Sequence, residues 1–150
     1  MIKLRVYLDT SIISAYHDDR ALERMADTRD FPLRASEYEL SVSSLVREEV
    51  GQTADLDRRR QMIGLMEGLQ THAISEDMRD LAYCYVSAGL FTLSMFNDAL
   101  HVAVAVLTRQ DVLLSWNFKH LVNRRKRAEV NQANVSLGLP VVEILAPTEL

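Results

Sequence analysis

The stretch from Ala99 to Leu107 is apolar nearly all the way round a helix. A helix without a polar face has to be enclosed on every side, so this segment belongs at the centre of the fold. A chain of 150 residues suits one domain, spanning 1–150, with a single core able to enclose it. The longest uninterrupted apolar run, Val102 to Leu107, is far too short to cross a bilayer, so no membrane association is expected.

What can enclose such a helix is written on either side of it. Leu4, Val6 and Leu8 alternate with Arg5 and Tyr7, which predicts a strand over residues 3–9 with one face only partly buried. Val112-Leu113-Leu114 and Val141-Val142-Glu143-Ile144-Leu145 read as further strands, the second near a sheet edge because prolines flank it. Leu40-Ser41-Val42 and His72-Ala73-Ile74 are shorter candidates. Met78, Leu81, Ala82, Tyr85 and Val86 repeat with helical spacing up to a stop at Gly89, and Met62, Leu65, Met66 and Leu69 make a similar stripe. The methionine spacing marks core filler rather than a soft-metal site. Strands alternating with helices predict an α/β fold with a mainly parallel central sheet.

Composition narrows the function. The 48% hydrophobic and 25% charged content is that of a soluble globular protein. One cysteine, Cys84, rules out an intrachain disulfide framework and suits a reducing, cytoplasmic setting, as does a start without a signal-peptide pattern. The net charge of −4 argues against a broadly basic nucleic-acid binder but leaves room for a local basic patch. None of the 5 glycines forms a dinucleotide or P-loop phosphate cradle after a strand.

Three acids stand where chemistry is expected. Asp9 ends the first strand, in Tyr7-Leu8-Asp9-Thr10-Ser11, and ligands of open α/β sheets bind beyond the carboxyl ends of strands. It either caps the following helix or, since Thr10 and Ser11 can cap equally well, is free for a ligand. Ser43 or Ser44 can open a helix on which Glu49 shares a face with Leu45, beside Val46 and Val50. A carboxylate on that apolar side needs a partner or a metal, whereas Glu48 faces water or closes a capping box. Asp98 opens the central helix behind Asn97, a ready cap, and His101 follows on the same face, better suited to orienting a neighbour than to binding metal. No zinc-ligand spacing is present. If Asp9, Glu49 and Asp98 converge, the natural occupant is a hard cation, Mg²⁺ or Mn²⁺, and the chemistry is metal-assisted phosphodiester hydrolysis.

Four segments resemble the PIN-domain family: Tyr7-Leu8-Asp9-Thr10-Ser11, Ser43 to Val50, Asn97-Asp98-Ala99-Leu100-His101-Val102-Ala103, and Leu114-Ser115-Trp116-Asn117-Phe118-Lys119-His120. Each is weak alone, but their order and spacing cover most of the chain. The resemblance implies a three-layer α/β/α fold and a Mg²⁺- or Mn²⁺-dependent ribonuclease of the kind that includes VapC-type toxins. It matches Asp9, Glu49 and Asp98 to the family's acidic positions, with Asn117 at a fourth position that carries an acid in many members. It also implies a homodimer, an RNA substrate and a small antitoxin partner.

Asn117 offers a neutral oxygen or orients a water, without added charge. Lys119, Arg124, Arg125, Lys126 and Arg127 form the densest basic cluster, either a grip for the RNA backbone or a solvated helix face. Trp116, the lone tryptophan, reads as packing beneath the site. The leading expectation is an endoribonuclease that needs no side-chain nucleophile. Its alternative is a PIN-like RNA- or protein-binding module with weakened catalysis, motivated by Asn117 and His120. A small-molecule phosphatase fits less well, because Ser11 stands where its second aspartate belongs.

Overall fold

The computed structural model describes residues 2–31 and 37–150. Among these, five strands form one parallel sheet: β1 (Leu4–Leu8), β2 (Tyr38–Ser43), β3 (Gln70–His72), β4 (Val112–Leu114) and β5 (Glu143–Leu145). Their order is β3-β2-β1-β4-β5. The α-helices are α1 (Thr10–Ala15), α2 (Leu22–Asp30), α3 (Ser44–Gly51), α4 (Leu56–Met66), α5 (Glu76–Ser87), α6 (Phe96–Leu107) and α7 (Arg124–Ser136).

The chain runs outward from β1 to β3, then returns to the other side of β1 for β4 and β5. Right-handed crossovers therefore put α1 to α4 on one face of the sheet and α5 to α7 on the other, which makes the three-layer α/β/α sandwich. Accordingly α1 packs on α2, α3 and α4, while α5 packs along α6. The reversal between β1 and β4 opens a crevice at their carboxyl ends. Asp9 follows β1 there and Ser115 follows β4, with the Asp9 amide donating to the Leu114 carbonyl at 3.2 Å.

Local chemistry explains most element ends. Every residue of α6 from Ala99 to Val106 is buried, as an all-apolar helix demands. Met62 and Met66 lie in the core. Gly89 has φ +83° and, with Leu90, closes α5 by bonds back to Val86 and Tyr85. β5 is an edge strand, as its flanking prolines suggest.

Other details differ from the sequence reading. Val6, Tyr7 and Leu8 are all fully buried, so the far end of β1 is covered on both faces. Tyr7 can be interior because its hydroxyl finds partners there. β3 ends at His72 and β5 begins at Glu143. α4 stops at Met66, with Gly68 at φ +82° just beyond, so Leu69 packs from outside the helix. α6 is entered through a 3₁₀ turn, Leu93–Met95, which places Asn97 inside the first helical turn and not at the cap.

Arg109 is in the left-handed region, φ 56°, where α6 turns into β4 and Gln110 bonds back to Ala105. A side chain is strained in that conformation. Arg109→Gly is expected to stabilise the fold by about 1 kcal/mol in urea denaturation, by relieving that strain.

Candidate active site

Asp9 sits at the N-cap of α1 and is only 4% exposed. The Ser11 amide and hydroxyl both donate to its Oδ1, at 3.0 and 2.5 Å. Asp9 therefore does cap the helix, contrary to the view that Thr10 and Ser11 leave it without a structural task. Those two residues serve as donors instead. Ser11 holds Asp9, and the Thr10 hydroxyl donates to Glu49 Oε1 at 2.7 Å. Both bonds from Ser11 fall on one oxygen of Asp9, which leaves acceptor capacity for a ligand on the other.

Glu49 approaches from α3, whose cap is Ser43 Oγ accepting the Val46 amide. Glu48 is exposed and makes no capping box. Besides Thr10, Glu49 accepts from His101 Nε2 at 2.8 Å. A carboxylate only accepts, so Nε2 carries the hydrogen. His101 Nδ1 is hydrogen-bonded with the Tyr7 hydroxyl at 2.8 Å, and that hydroxyl with the Ser43 hydroxyl at 2.7 Å. Both nitrogens of this buried ring are thus used by protein groups. His101 orients Glu49 and is neither a free metal ligand nor the partner of Asp98 that its spacing suggested.

Asp98 lies in the first turn of α6, where the Asn117 amide donates to its Oδ1 at 3.3 Å. The Asn117 oxygen is occupied by the His120 N–H at 3.0 Å. Asn117 therefore presents a donor to the acid, and its oxygen belongs to the turn after β4. Ser115 Oγ accepts the Asn117 backbone N–H and lies 3.4 Å from Ser11 Oγ, closing the floor between β1 and β4.

The acids affect one another. Burial, reinforced by the charges of Asp9 and Glu49, raises the pKa of Asp98 against the pull of His101 and His120. Burial also raises Asp9, opposed by His101 and by the Ser11 hydroxyl. For Glu49 burial acts upward too, but the bond and charge of His101, with Thr10 and the Asn97 amide, hold it below its usual value. Asp9, Glu49 and Asp98 thus border the same crevice, close enough for the first and second to act on the charge of the third. Among the described residues, no three His, Cys, Asp or Glu side chains form a ready-made metal cage. The donor set nevertheless suits a hard cation, with carboxylate oxygens only and with the charges of Asp9 and Glu49 acting on Asp98.

The basic cluster divides. Lys126 donates to the Leu90 carbonyl and lies over the Phe91 ring, and Arg127 bonds Glu149. Arg125 pairs with Glu129, while Arg124 and Lys119 are exposed. Trp116 packs beneath the site, its Nε1 donating to Thr28 Oγ1 at 2.8 Å. Sequence reasoning missed Thr10 and Ser11 as donors to the acids, Tyr7 and Ser43 as supports of His101, and Arg24 beside Trp116. Their only signal was proximity to the first strand and to the motifs already noted.

No protein-family model matches the chain, and no curated protein matches it significantly. Solved structures do match in fold. A chain of the VapBC2 structure from Rickettsia felis, bound to a DNA fragment from its promoter, aligns at 16% identity and TM-score 0.56, covering 95% of this chain and 98% of that one. A chain of a toxin–antitoxin complex from Klebsiella pneumoniae aligns at 17% identity and TM-score 0.57, covering 81% and 93%. FitAcB from Neisseria gonorrhoeae aligns at 12% identity and TM-score 0.56, covering 97% and 99%. The likeness is one of fold: the chain has the PIN-type α/β architecture that its motifs resemble.

Two outcomes follow from these contacts. Tyr7→Phe strips the buried Ser43 hydroxyl and His101 Nδ1 of a shared partner, and urea denaturation should show a loss of about 1–3 kcal/mol. The second concerns pH. An unfolded aspartate titrates near pH 4, and Asp9 and Asp98 titrate higher in the fold. Between those values the folded state binds more protons, so these two acids reduce stability as pH rises through that window. Glu49 acts oppositely, its contribution being present above its unfolded value and lost as pH falls through its lower folded one. In chelator, Asp9→Asn keeps a competent cap and should raise the melting temperature at about pH 7, with the gain vanishing toward about pH 4.

Proposed function

We propose that this chain is a divalent-metal-dependent endoribonuclease that hydrolyses RNA phosphodiester bonds, and that it is the toxin-like member of a toxin–antitoxin pair. What supports this reading is that Asp9, bonded by Ser11, Asp98, bonded by Asn117, and Glu49, bonded by Thr10 and His101, all border the crevice at the carboxyl ends of β1 and β4, with Asp98 in the field of the other two. The fold shared with chains of toxin–antitoxin structures supports the biological setting.

Asp9, Glu49 and Asp98 would hold Mg²⁺ or Mn²⁺. When bound, such an ion polarises a phosphate oxygen and makes a water more acidic, which is the chemistry hydrolysis needs. The chain itself contributes orientation. Thr10 and His101 keep Glu49 ionised and aimed, Ser11 holds one oxygen of Asp9, and the Asn117 amide steadies Asp98. Among the described residues, the serine hydroxyls nearest the acids are engaged in holding the site, Ser11 on Asp9 and Ser115 on the Asn117 backbone N–H, which fits water as the nucleophile. An antitoxin segment bringing an arginine into the pocket would satisfy the same carboxylates and exclude the cation. We further propose that the protein is a homodimer acting in the cytoplasm. Among the described residues, no helix is long and apolar enough to cross a membrane.

Cleavage of a single-stranded RNA should require added Mn²⁺ or Mg²⁺ and stop on chelation. Asp98→Asn should lower the rate by more than the roughly 10- to 100-fold typical of an outer-shell change. Manganese titration followed by calorimetry is the companion measurement. Cleavage that persists in chelator, or in Asp98→Asn, would remove the metal-nuclease reading. Metal-independent RNA binding without cleavage would favour the binding-module alternative.

A further inference from the structure

Beside the acids lies an open cavity of about 560 Å³, lined by residues that include Ser11, Asp18, Arg24, Trp116, Phe118 and Lys119. This is within the size range of small-ligand sites, roughly 300–1,000 Å³. Asn117 also lines it, so the cavity shares Ser11 and Asn117 with the acidic site. A chain lying in this groove is led directly to Asp9 and Asp98.

The groove has the chemistry of a nucleotide seat. Trp116 is 6% exposed and anchored to Thr28, so it is a rigid wall. Phe118 is 46% exposed, a large aromatic surface with no structural need to face water. The Arg24 guanidinium lies 5.6 Å from the centroids of both rings. Stacking occupies the faces of a guanidinium and leaves its N–H edge for phosphate. Lys119 adds a second cation. The one acid in the lining, Asp18, is neutralised by Arg20 at 2.9 Å and Arg58 at 3.3 Å. The groove is therefore net positive against the negative pocket next to it. This arrangement helps to hold a polyanion close to carboxylates that would otherwise repel it.

We infer that this groove binds one nucleotide of single-stranded RNA adjoining the scissile bond, with its base against Phe118 and its phosphate on Arg24 and Lys119. The inference rests on the ribonuclease reading for its substrate. It requires an unpaired base, because stacking on an exposed ring needs a free π-face. It also gives Arg24, on the otherwise polar α2, a task that packing does not assign.

Trp116 is the only tryptophan, so its fluorescence reports on the groove wall. The probe is a short oligouridylate titrated in chelator, so that cleavage does not compete. Binding should quench Trp116. Phe118→Leu and Arg24→Gln should each weaken binding about fivefold or more, the lower range of a base–aromatic stack, while Phe118→Tyr retains it. Phe118 and Arg24 are exposed, so melting temperatures should change little. In the manganese assay, Phe118→Leu and Arg24→Gln should raise KM more than they lower kcat. Oligouridylate affinity and KM that are the same in Phe118→Leu as in wild type overturn the inference and leave the groove to a protein partner. Tighter binding of an RNA duplex than of the single strand overturns it as well. Cleavage with Phe118-independent KM sinks the groove alone. Phe118-dependent RNA binding without cleavage sinks the nuclease reading and keeps the groove.

Discussion

The hydrogen bond from His101 to Glu49 links the two halves of this fold where they have to meet. His101 lies on the buried α6, Glu49 on α3, and Tyr7 and Ser43 continue the line into β1 and β2. Thr10 of α1 completes it on the far side of Glu49. Five elements thus share one file of polar contacts at the carboxyl end of the sheet. Such a file is tolerable in a dry interior only because each member has a partner, and that requirement makes its geometry strict. Glu49 is held beside the crevice that Asp9 and Asp98 also border, even though each comes from a different element.

That order is accompanied by an electrostatic conflict. The fold holds Glu49 ionised with donors, yet gives Asp9 and Asp98 too little compensation for burial and, at Asp98, for the charges of Asp9 and Glu49. A pocket of this kind is costly to stability in isolation and is relieved by a cation. Such costs concentrate at functional sites, where a purely structural cluster would be selected toward pairing. Elsewhere this chain follows the structural pattern. Arg125 and Arg127 pair with Glu129 and Glu149, and Asp18 is bound by two arginines.

How legible all this was depended on the range of the interaction. The strands β1 and β4, the stripe of α5 and the burial of α6 follow from periodicities within a few residues, and they were readable. So were the places of Asp9 after a strand and Asp98 at a helix start. The polar file was not, because Tyr7 and His101 are 94 positions apart and neither carries a local pattern that names the other. The His101–Asp98 pairing was suggested by helical spacing and lost to tertiary packing, which offered Glu49 instead. α2 was missed because it buries little beyond Thr28 and so shows no apolar stripe. With it went Arg24. The basic run at α7 was visible, but sequence could not tell that Lys126 and Arg127 spend their charge on Leu90 and Glu149.

The neutral residue at position 117 has a physical reason within this electrostatic balance. Its oxygen is tied to the His120 N–H, so the turn after β4 sets the direction of the whole amide. The remaining N–H then falls on Asp98, the acid already raised by burial and by two neighbouring carboxylates. A carboxylate at this place could still accept from His120, but it would have no hydrogen to give Asp98. It would turn a stabilising contact into a further repulsion and take the pocket from a formal charge of about −3 toward about −4. Asn117 therefore keeps the site within what a partly buried pocket can sustain without a ligand. On the proposed reading, it leaves three acids for the cation and adds no negative charge to the groove that Asn117 also lines.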